Sequence, residues 1–117
     1  MCGDFNIAPE DRDVYDPKKF ETETHTSDAE REKIAALEDW GLVDVFREQH
    51  DEDRLYSWWD YRGGNFHKKM GMRIDLLMTS RSVADTVDVA LVDRNERKGP
   101  KDDPPSDHAP VLIDGAR

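Results

Sequence analysis

Residues 72–78 read Met-Arg-Ile-Asp-Leu-Leu-Met, and no other stretch limits the fold so strongly. Met72, Ile74 and Leu76 alternate with Arg73, Asp75 and Leu77, which is the period of a strand. Apolar residues on both faces further along require a sheet covered on both sides. An aspartate inside such a strand is anomalous, because a buried carboxylate is costly without a partner. Asp75 therefore demands one, and Arg73 or a histidine are the candidates.

A chain of 117 residues makes one domain at most, and it buries a sizeable core only if that domain is complete. Hydrophobic content of 36% against 38% charged suits a soluble protein with no membrane partner. No apolar run reaches spanning length, and the opening residues do not read as a signal peptide. The single cysteine, Cys2, excludes an internal disulfide framework and fits a reducing, cytoplasmic setting. A net charge of -10 argues against wholesale non-specific binding of nucleic acid but leaves room for a local basic cleft.

Around the central strand the other elements fall into order. Met1 to Pro9 reads as the end of a strand breaking into a loop, with Asp4 and Asn6 on one side and Phe5 on the other. Residues 10–27 are polar and read as a loop. Ser27-Asp28-Ala29-Glu30 is a capping box and predicts a helix from about Asp28 to Trp40, with Ile34, Leu37 and Trp40 on one face and Gly41 closing it. Leu42 to Arg47 reads as a short helix or turn, and Leu55 to Arg62 as an aromatic-rich strand. The loop 63–69 is the most basic stretch, with Lys68 and Lys69 at its end. A turn over 80–84, a strand over Val87–Val92 and a charged loop over 93–105 follow.

Last comes Pro105-Ser106-Asp107-His108-Ala109-Pro110, running into the strand Val111-Leu112-Ile113. Proline on both sides keeps Asp107 and His108 out of a helix and presents them from a loop at a strand mouth. Taken alone, such a pair is usually a surface loop. Asp4 and Asn6, taken alone, are turn formers bonding nearby backbone.

Taken together and in order, four stretches resemble one family. They are Gly3-Asp4-Phe5-Asn6, Ser57-Trp58-Trp59-Asp60-Tyr61-Arg62, Gly71-Met72-Arg73-Ile74-Asp75 and Ser106-Asp107-His108-Ala109-Pro110. The match is to the endonuclease/exonuclease/phosphatase superfamily, and within it to the exonuclease III type of abasic-site endonuclease. The resemblance implies an α/β (α+β) fold, a two-sheet sandwich with flanking helices, of which residues 1–117 match only the C-terminal half. The half that precedes the first motif in the family supplies an asparagine, the glutamate that is the main magnesium ligand, and a tyrosine. None has a counterpart here, so a fragment is expected, inactive alone, with the N-terminal half as a partner if it is separately encoded.

The resemblance also implies roles. Asp4 would be the base or water-orienting carboxylate, Asn6 a donor to phosphoryl oxygens, and His108 a holder of another oxygen with its tautomer fixed by Asp75. Asp107, with Asp4, would ligate magnesium, or manganese in its place. Trp58, Met72 and Ile74 would wall an apolar pocket for a baseless sugar, while Arg62 and Arg73 would contribute positive charge toward double-stranded DNA carrying abasic sites or 3' ends. Members of the family often carry an aromatic residue where this chain has Met72. The competing readings are a lipid or inositol phosphate hydrolase of the same superfamily, and a non-catalytic remnant that binds DNA or a partner chain. The two middle motifs speak against the first; the absent glutamate favours the second.

Overall fold

The computed structural model describes residues 1–18, 25–60, 66–99 and 106–115. Helices and antiparallel strands are mixed, as the α/β (α+β) reading expects. Strands β1 (Cys2–Asp4), β5 (Asp75–Ser80) and β2 (Leu42–Asp44) form one sheet in the order β1-β5-β2. Strands β3 (Trp58–Trp59) and β4 (Gly71–Met72) pair in a second, and β6 (Val87–Val92) and β7 (Val111–Gly115) in a third. Helix α1 spans Asp28–Asp39, α2 Val45–Gln49 and α3 Arg81–Ala84.

The long strand expected over 72–78 is two strands. β4 pairs with β3, and two residues later β5 pairs with β1, so the chain changes sheets at Arg73 and Ile74. Side chains cause the change. The Ser57 hydroxyl accepts from the Ile74 and Asp75 amides, each at 3.1 Å, and so replaces a strand partner there. Arg73 turns inward instead of alternating outward and is only 1% exposed. Its Nε donates to Asp13 at 2.7 Å and its Nη2 to Asp44 at 2.7 Å. Arg47 donates to the same Asp13 carboxylate. Burial alone would lower the Arg73 pKa, but the Asp44 and Asp13 carboxylates more than offset it, and the guanidinium stays charged. The expected substrate contact by Arg73 is therefore corrected: this arginine is an internal anchor.

β3 is flanked on both sides. Trp58 faces Met72 and Trp59 faces Gly71 across one edge. On the other edge the Trp59 amide donates to the Asp107 carbonyl at 3.1 Å, and the Ala109 amide to Ser57 at 2.7 Å. The aromatic-rich strand is thus shorter than 55–62 but central. Gly71 is required there, since an added Cβ would lie 2.6 Å from Trp59 Cδ1 and 2.7 Å from the Trp58 carbonyl. Gly71→Ala is expected to destabilise the protein by about 1–3 kcal/mol, the usual cost of overpacking. A urea midpoint unchanged from wild type would refute it.

α1 begins as its capping box predicts: Ser27 Oγ accepts from the Glu30 amide, and the Glu30 carboxylate accepts from Ser27 Oγ at 2.8 Å. Ile34 is buried with Ile7, Leu76 and Met78, and Leu37 packs beside them. Trp40 is 80% exposed, not on the packing face. A step of three residues falls about 60° short of a full turn, so two steps carry Trp40 about 120° away from Ile34. The segment 42–47 forms a strand and then a helix, with Asp44 capping α2. Residues 80–84 are the short helix α3 capped by Ser80, and the loop after β6 contains a 3-10 turn over Arg94–Arg97.

Candidate active site

Asp4, Asp75, Asp107 and His108 meet where the two sheets adjoin. β1 and β5 run antiparallel with Asp4 opposite Asp75. β3 brings in the Asp107–Ala109 segment through its free edge, with Trp58 bridged to His108. Sequence separations of more than a hundred residues are thereby closed by three short strands.

The partner that Asp75 requires is His108, whose Nδ1 lies 2.7 Å from Asp75 Oδ2. Burial pushes the Asp75 carboxyl above its ordinary range, against the hydrogen bonds from His108 and Ser57. With Nδ1 engaged, Nε2 is the free nitrogen of the ring. It stands 3.7 Å from Asp4 Oδ2 and 3.8 Å from Asp107 Oδ1. Both distances exceed a hydrogen bond, and both carboxylates are partly exposed. Nε2 thus faces both acids without bonding either.

Each acid is held by its other oxygen. Asp4 Oδ1 accepts from the Asn6 amide at 2.9 Å, and Asp107 Oδ2 accepts from Trp58 Nε1 at 3.0 Å. Asn6 has φ of 54°, a conformation asparagine tolerates, and its side chain is exposed. The Asn6 carbonyl contacts His25 Nδ1 at 2.6 Å, while the His25 amide donates to Glu30. The cap of α1 therefore braces the loop carrying Asp4 and Asn6, a role for His25 that residues 10–27, read as a loop, did not reveal.

Asp4, Asp75 and His108 offer ligand atoms that all lie within 4.8 Å of one another. These are two carboxylates and an imidazole, donors that a divalent cation takes, with Asp75 Oδ2 also bonded to His108. That donor set fits such an ion.

The pocket residues divide. Met72 and Ile74 are 2% and 3% exposed and pack with Ala8 and Val14 beneath Trp58, which alone of the three reaches solvent. The expectation that all three wall an open pocket is corrected to Trp58 as the surface group with two residues supporting it. Arg62 lies outside the described residues. Lys68 and Lys69 are exposed. A hollow of about 420 Å³ between Phe46, Tyr56, Trp59 and Leu91 contains none of the acidic groups or His108.

Known proteins resemble this chain in sequence and fold. Residues 1–108 match the model of the Endonuclease/Exonuclease/phosphatase family. An exodeoxyribonuclease of Bacillus subtilis is 35% identical over 97% of this chain and 42% of its own length. A 3' phosphatase from Neisseria, solved bound to a product DNA hairpin, superposes with a TM-score of 0.93 at 41% identity, over 99% of this chain and 44% of that one. An AP endonuclease from Archaeoglobus fulgidus gives a TM-score of 0.89 at 31% identity, over 97% and 44%. The chain spans less than half the length of each of these relatives. No helix among the described residues is long and apolar enough to cross a membrane. By sequence and by fold, the chain belongs to the endonuclease/exonuclease/phosphatase family.

Proposed function

We propose that this chain supplies the later part of a DNA-repair phosphodiesterase of the exonuclease III and abasic-site endonuclease type, working in the cytoplasm. The observation that carries the reading is the His108 imidazole, held on Asp75 by Nδ1 and facing Asp4 and Asp107 by Nε2. A phosphoryl oxygen brought up to Nε2 would receive a hydrogen bond from it, and Asp75 would stabilise the imidazolium that donates it. Asp4, fixed through Asn6, orients the attacking water; the Asn6 side chain is free to donate to another phosphoryl oxygen. Asp4 and Asp107 would hold magnesium, which when bound neutralises the charge building on the phosphate.

Trp58, half-buried and supported by Met72 and Ile74, offers an apolar surface to a sugar that has lost its base. Double-stranded DNA with abasic sites or 3' ends is the proposed substrate; the Neisseria 3' phosphatase solved with a DNA hairpin supports it. Because the matched relatives are more than twice as long, the site is proposed to work together with an earlier part of such a domain, in the same polypeptide or another.

Cleavage of abasic duplex DNA with magnesium tests the reading. The 117 residues alone are expected to show little activity, and the first part of a related enzyme, fused or added as a separate chain, is expected to restore it. Hydrolysis of a lipid or inositol phosphate by the joined protein, with DNA left intact, would overturn the substrate class. DNA binding with no cleavage of either substrate would leave a non-catalytic module.

A further inference from the structure

Ser57 is fully buried, at 0% exposure, and no role follows for it from the chemistry above. Its hydroxyl oxygen accepts two backbone amides, Ile74 and Asp75, at 3.1 Å each. Its amide donates to the Met72 carbonyl at 3.0 Å, and its carbonyl accepts from the Ala109 amide at 2.7 Å. Those four bonds attach one residue to the segment carrying Asp75 and to the segment carrying His108.

We infer that Ser57 is a positioning residue: its hydroxyl sets the Asp75 carboxylate against His108 by fixing the strand break at 73–75 through the two amides it accepts. A bond of 2.7 Å between Asp75 and His108 depends on the angle at which Asp75 leaves its strand. Two amides trapped by one oxygen determine that angle. Alanine would leave the Ile74 and Asp75 amides buried without that acceptor.

The inference rests on the proposed nuclease reading only in its kinetic arm. Nuclear magnetic resonance on the chain follows two signals that need no substrate: the low-field proton of the His108 Nδ1–H bond to Asp75, and exchange of the Ile74 and Asp75 amides. Ser57→Ala is expected to move or abolish the first and to speed the second by about tenfold or more, while Ser57→Thr restores both. In the joined, active protein kcat is expected to fall about tenfold or more with KM within about twofold, again rescued by threonine. Should Ser57→Ala not fold, Ser57→Cys, close in shape with a weaker acceptor, carries the same comparison. Unchanged signals in the alanine or cysteine variant, or threonine no better than alanine, overturns the inference. The expected resonance changes with no cleavage in any joined wild-type protein would uphold Ser57 and reject the nuclease reading.

Discussion

Asp75→Asn is expected to lower cleavage of abasic DNA by the joined protein on the order of 10²–10⁴-fold, nearly as far as His108→Asn. The reason is the single bond between Asp75 Oδ2 and His108 Nδ1. An amide there can present an N–H where the imidazole needs an acceptor, and it carries no charge to stabilise the imidazolium. The two side chains should behave as one unit, so the double variant is expected to be no worse than either single one. Undiminished cleavage by Asp75→Asn would make the pair structural and end the proposed mechanism. Stability should run the other way. Burial pushes the Asp75 carboxyl up, so the folded state favours the protonated acid. That contribution is fully present below the ordinary aspartate range, about pH 4, and is lost as pH rises through the raised folded-state value. Asparagine is neutral throughout. Thermal melts should therefore show the variant no less stable than wild type at neutral pH, with the gap closing in acid.

Arg73→Met is expected to cost about 3–5 kcal/mol of folding stability, the usual loss when one member of a buried ion cluster is removed. Asp13 is fully buried and the Asp44 side chain is 9% exposed, so neither carboxylate can turn to water for compensation. Arg47 and the Glu10 amide would remain beside Asp13. Against a typical total of about 5–15 kcal/mol, that loss brings the least stable domains to the edge of unfolding. Arg47→Met should cost less, because Arg73 still serves Asp13 and the other Arg47 bonds end on the His50 and Glu52 carbonyls. Urea unfolding of the two variants gives the comparison. A cost below about 1 kcal/mol for Arg73→Met would mean the acids are satisfied by other means.

What the sequence disclosed, and what it hid, follows from distance along the chain. Helix α1 was legible because Ser27 and Glu30 bond each other within one turn. β6 matches the run Val87–Val92 because its alternation is local. The cost of a buried carboxylate called for a partner of Asp75 and left Arg73 or a histidine as candidates; the resemblance pointed to His108, and the catalytic roles of both remain proposals. Arg73 was misplaced because its acids lie 60 and 29 residues away, in segments read as loop and turn. Ser57 was hidden for a similar reason: a serine beside aromatic residues gives no hint that two amides 17 and 18 residues later will converge on it. The sheet change at 73 and 74 is the joint product of those two residues, and a period of two cannot announce it.

The placement of β3 between two neighbours has a mechanical consequence. Asp75 is tied to one side of the Ser57–Trp59 segment through Ser57 Oγ, and Asp107 and His108 to its other side through backbone bonds. A displacement of that segment carries both groups in the same direction. Thermal motion then enters the site mainly as translation of a block, and the separation between carboxylate and imidazole varies less than the position of either. A site built this way can shift as a unit without detuning the contact between Asp75 and His108.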